Sequence, residues 1–158
     1  MSFYDKNDII EMAIKDENRG YTFYNEASKK VDINTSRKKL FTQLRDEELK
    51  HEETFRNLRN RIDLIQLTDE INWSEEEDYI GSMVNERLFD SPDTVIQLVK
   101  DAKNTDELID LAIDFEKETL YYFKSISKYI TERKAKATLK EIINEEITHI
   151  KRLKEFPR

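Results

Sequence analysis

A chain of 158 residues with two glycines, two prolines and 39% charged side chains can build one domain with a substantial core, and is too poor in turn-formers for a β fold. A net charge of −7, with both signs interleaved, lacks the basic patch that nucleic acid or an anionic membrane would need. With no cysteine there are no disulfides, iron–sulfur clusters or zinc ribbons, so any metal must be held by Glu, Asp and His.

The predicted elements are four long helices. The first, about 6–31, turns the stripe Ile10, Ala13, Glu17, Gly20, Tyr24, Ala27, Val31 inward. The second, about 36–62, follows a break at Asp32 to Thr35 and gives Phe41, Leu44, Glu48, His51, Phe55, Leu58. A connection, 63–104, is too long for a tight turn. Its Ser74 with Glu77 resembles a capping box, and Ser91-Pro92 suits an N-cap followed by proline at the first helical position. It is expected to carry two short helices along the outside of the bundle. The third long helix, about 105–130, gives Ile109, Ala112, Glu116, Thr119, Phe123, Ile126, Ile130. The fourth, about 134–155, gives Leu139, Ile142, Glu146, His149, Leu153, Phe156. The expected fold is all-α, a single domain over 1–158 in which two helical hairpins joined by a long crossover form a four-helix bundle.

Each apolar stripe is interrupted by polar residues, and the interruptions repeat. At an offset of 99, residues 10–17 overlay 109–116; at 98, residues 44–51 overlay 142–149. The only two histidines, His51 and His149, each close a Glu-x-x-His motif, with Glu48 and Glu146. Residues three apart share a helix face, so each motif aims a carboxylate and an imidazole at one point. Counted from the hairpin turns, all four glutamates stand at a similar height, about 22–24 Å. Four ionised carboxylates in an apolar core cost several kcal/mol each unless paired, and two divalent cations would neutralise them. Glu17, Glu48, His51, Glu116, Glu146 and His149 are therefore the candidate metal ligands. Imidazole with carboxylate suits iron or manganese better than structural zinc. Glu47 and Glu145 fall off the inward stripe and are expected to be solvent-facing or to support the ligands from behind.

This pattern, with the Ala-Ile-x-x-Glu-x-x-x-x-x-Phe-Tyr run ending at Tyr24 and the doubled glutamates before each histidine, resembles the rubrerythrin branch of the ferritin-like di-iron carboxylate superfamily. The resemblance spans all four long helices. It implies Glu48 and Glu146 bridging two metals, Glu17 and Glu116 as terminal ligands, and one histidine on each metal. It also implies two Fe ions, with Mn as an alternative. The chain departs from the family in having no cysteine for a rubredoxin-type Cys-x-x-Cys domain. It also has Thr119, with its counterpart Gly20, where an extra metal-facing glutamate is usual; these small residues either leave room for O₂ or peroxide or allow close helix packing.

Tyr24, two turns from Glu17, is read chiefly as core packing, with a hydrogen bond to a ligand or a redox role as the alternative. The function expected from the resemblance is that of a cytoplasmic non-haem di-iron oxidoreductase. It would reduce hydrogen peroxide, or act on O₂, with an external electron-donor protein such as rubredoxin. Ferroxidase action, di-manganese catalase-like dismutation and a non-catalytic metal-binding bundle are the alternatives. A homo-oligomer, a dimer, is expected. No run approaches a membrane span and the N-terminus lacks a signal-peptide layout.

Overall fold

The inward stripes assemble as helices around a core split in two by the polar layer. A computed structural model describes residues 6–30, 34–61, 91–128 and 130–158. The described residues form α1 (Lys6–Ser28), α2 (Thr35–Arg61), α3 (Pro92–Asp101), α4 (Thr105–Ser127) and α5 (Arg133–Glu155). The Ser74–Glu77 start signal and Val31 lie outside the described residues. Ser91-Pro92 does begin a helix: Ser91 Oγ accepts the Thr94 N–H at 3.2 Å, with Pro92 opening the first turn.

One apolar cluster joins Phe23, Tyr24 and Ala27 of α1 to Phe41 and Leu44 of α2, Leu108 to Phe115 of α4 and Leu153 of α5. The second joins Ile9 to Ile14, Phe55 and Leu58, Tyr122 to Ile126, and Ala135 to Ile142. Each long helix thus contributes one half to each cluster, and Glu17, Glu48, Glu116 and Glu146 lie between them along the chain. The halves also fix direction. The C-terminal half of α1 and the N-terminal half of α2 share a cluster with the N-terminal half of α4. The two hairpin turns therefore lie at opposite ends of the bundle. α3 adds Val95 and Val99 to the first cluster, and Lys30 Nζ donates to the Ala102 carbonyl at 3.0 Å just beyond its end.

Two helices stop earlier than their stripes suggest. α1 ends at Ser28, not about 31, because the N–H groups of Lys29 and Lys30 bond three residues back, to Glu26 and Ala27. α4 ends at Ser127, not about 130; Ser125 and Ser127 hydroxyls donate to the carbonyls of Tyr121 and Lys124 there. None of the described helices is long and apolar enough to cross a membrane.

Candidate metal centre

The polar interruptions meet at the middle of the bundle. α1 supplies Glu17, α2 Glu48 and His51, α4 Glu116, and α5 Glu146 and His149; all four carboxylates are fully buried and the histidines nearly so. His51 Nδ1 is 2.7 Å from Glu146 Oε1 and 3.4 Å from Glu17 Oε2. His149 Nδ1 is 3.2 Å from Glu48 Oε1, 3.4 Å from Glu146 Oε2 and 3.5 Å from Glu116 Oε1. The two rings lie nearly parallel, with centroids 5.8 Å apart.

Two groups of four emerge, Glu17, Glu48, His51, Glu146 and Glu48, Glu116, Glu146, His149. In each group one ligand atom per residue lies within 4.8 Å of all the others. Glu48 and Glu146 belong to both. Both oxygens of Glu17, and one each of Glu48, Glu116 and Glu146, are buried without a hydrogen-bond partner. Orphaned carboxylate oxygens converging on one point fit a cation better than any protein group in reach, since an unmet buried acceptor is costly.

The electrostatics carry the same signature. Burial, then the neighbouring Glu146 charge, raises the carboxyls of Glu17, Glu48 and Glu116 well above the ordinary range. Glu146 is held well below it, because hydrogen bonds with Glu116, His149 and His51 outweigh its own burial. Burial opposes charging of His51, but its bond to Glu146 wins and lifts the ring to about 9. His149 is also raised, its bonds to Glu116, Glu146, Glu47 and Glu48 overcoming burial. Without a metal, protons compensate the carboxylates.

Glu47 and Glu145 stand behind the histidines, each from the opposite hairpin. Glu145 Oε2 is 2.6 Å from His51 Nε2, and Glu47 Oε2 is 3.2 Å from His149 Nε2. The His149–Glu47 contact lies off the hydrogen-bond line, yet it holds the Glu47 carboxyl below the ordinary range together with Arg152. The doubled glutamate before each histidine was the sequence signal for this arrangement; its crossing between hairpins was not legible there.

Tyr24 combines both readings offered for it. Its ring packs edge-on to Phe23 and stacks on Phe41, and its hydroxyl donates to Glu116 Oε1 at 2.7 Å, across the bundle and not along its own helix to Glu17. Burial and the Glu116 charge push the phenol upward, so it stays a donor. Gly20 decides between its two readings. A Cβ there would meet Glu48 Cδ and Oε2 and Phe115 Cε1, each at 3.0 Å. The missing side chain permits close packing against Glu48 and Phe115. Phe115, which the inward stripe did not include, is thereby placed against the site.

The rubrerythrin family profile matches residues 8–156. No curated protein matches the chain. Among solved structures, a Thermotoga maritima protein described as ferritin-like and diiron-carboxylate superposes with a TM-score of 0.71 at 23% identity, covering 98% of this chain and 95% of its own. That likeness establishes the ferritin-like fold. With nearly its whole length matched by the family profile, the chain belongs to the rubrerythrin family.

Proposed function

We propose that the cluster holds two iron ions, and that the protein is a non-haem di-iron oxidoreductase reducing hydrogen peroxide with electrons from an external donor such as a rubredoxin. The observation that carries this reading is the pair of overlapping four-residue groups sharing Glu48 and Glu146. Glu48 and Glu146 would bridge, with Glu17 and His51 completing one position and Glu116 and His149 the other. When bound, two adjacent irons supply the two electrons that divide H₂O₂, with two protons, into two waters.

The chain's own residues prepare that chemistry. Four carboxylates balance the charge of two divalent ions, and mixed imidazole and carboxylate ligation suits iron, with manganese as the alternative. Glu145 holds the His51 Nε2–H at 2.6 Å and the Glu47 charge stands 3.2 Å from His149 Nε2, with each Nδ1 facing the cluster. The Tyr24 hydroxyl fixes one oxygen of Glu116. The apolar clusters above and below restrict water.

The chain has no cysteine and so no iron–sulfur centre of its own, which supports a reading in which electrons arrive from outside it. Reduced di-iron protein mixed with peroxide in a stopped-flow instrument is expected to oxidise once per site and halt. Turnover should resume when reduced rubredoxin is added. Sustained peroxide loss without reductant would favour manganese-dependent dismutation instead, and O₂ uptake driven by added Fe(II) alone would favour ferroxidase action.

A further inference from the structure

A histidine that holds a metal with one ring nitrogen almost always hands its other N–H to an orienting partner. His51 does so, with Nε2 2.6 Å from Glu145 Oε2. His149 does not. Its Nε2 is buried without a hydrogen-bond partner, although Glu47 Oε2 stands 3.2 Å away.

The cause lies in what else that oxygen holds. Arg152 Nη1, from α5, donates to the same Glu47 Oε2 at 2.8 Å, and Nη2 donates to Gln43 Oε1 at 2.9 Å. Gln43 and Glu47 are four residues apart on one face of α2, so the rigid guanidinium fork spans both and resists any turn of the carboxylate. A bond between two charged groups outcompetes one from a neutral ring N–H. An unmet buried N–H is costly, so its persistence needs such a competitor.

We propose that Arg152 is a positioning residue: by holding Glu47 on its own fork it withholds the carboxylate from His149 Nε2, and so keeps the cluster easier to reduce. The proposal rests on the dinuclear reading above. A histidine whose far N–H is bonded to a carboxylate donates more strongly to its metal. Stronger donation favours the more highly charged, oxidised metal. Withholding the bond leaves His149 a weaker donor, which raises the potential at which an external protein can supply electrons.

Arg152→Met, which keeps the apolar stem and removes the fork, is the test, with Gln43→Ala freeing the fork on one side only. The chain has two histidines, so ring N–H signals of isotope-labelled histidine are few enough to assign by NMR. In metal-free protein, Arg152→Met should move the His149 Nε2–H signal downfield and slow its exchange with water by about tenfold, as Glu47 closes on it. Gln43→Ala should do the same to a smaller extent. In di-iron protein, Arg152→Met should lower the midpoint potential. Loss of a positive charge would lower it too, so the substitution is repeated on Glu47→Ala protein, where the shift should all but vanish. An N–H that exchanges as before or faster in Arg152→Met, or a potential shift undiminished without Glu47, would overturn the proposal and leave the di-iron site standing. A protein that takes up no iron would overturn the dinuclear reading, and the effect on potential with it.

Discussion

At Gly20 one methyl group sets helix propensity against the position of Glu48. Alanine gains about 1 kcal/mol in a helix interior, and crowding a packed core costs about 1–3 kcal/mol. Glu48 must retreat by a few tenths of an ångström to admit the new Cβ. Gly20→Ala is therefore expected to change metal-free stability little but to reduce the stabilisation that metal adds, as melting with and without Fe(II) would show. Glu48→Ala should abolish metal binding, because the residue belongs to both groups of four. Glu47→Ala should only weaken it, by about tenfold, through loss of the support behind His149.

The same residues set the pH response. Glu17, Glu48 and Glu116 have raised carboxyls, and the ring of His51 is raised from 6.5 to about 9. Each contributes stability that is complete below its unfolded value and lost as pH rises through its folded one. Glu146, depressed below 4.5, acts only at lower pH. Metal-free protein should thus lose stability as pH rises above 4.5, with the His51 share lost between pH 6.5 and about 9. Metal displaces those protons, so the gap in melting temperature between metal-loaded and chelator-treated protein should widen over that range. A gap that narrows would show that the protons are not held as described.

Among the elements, α4 shows how local chemistry and site chemistry separate. Asn104 Oδ1 accepts the Glu107 N–H at 2.9 Å, and Glu107 reaches back to the Lys103 N–H at 2.7 Å. Asn104→Ala should cost about 1 kcal/mol in chemical denaturation. Glu116 lies about 18 Å farther along the helix, so metal affinity should be unchanged. The inward stripes were legible because a half-buried helix must repeat at its own period, and Glu17, Glu48, Glu116 and Glu146 follow it. The helix ends were less legible: whether a last turn is α or tighter depends on which carbonyls the final N–H groups reach, as at Lys29 and Lys30.

For the whole molecule, the metal is expected to act as a staple through the middle layer. The unfolded chain leaves its carboxylates hydrated, so binding energy adds to folding energy, by about 4 kcal/mol at a thousandfold excess over Kd. Chelation should lower the melting temperature accordingly, and Glu47→Ala should retain part of the metal-dependent gain that Glu48→Ala loses.

The sequence by itself determined the all-α class, the repeat and the six polar residues of the inward stripes, because helical period and residue chemistry are local properties. It could not determine that the hairpin turns lie at opposite ends of the bundle, which depends on how the two hairpins dock. Nor could it reveal that each histidine is backed by a glutamate from the other hairpin, or that Tyr24 reaches Glu116 and not Glu17. Arg152 bonds Glu47 and Gln43 of the other hairpin in the same way, because contacts between distant helices are fixed by the docked bundle and not by spacing along the chain.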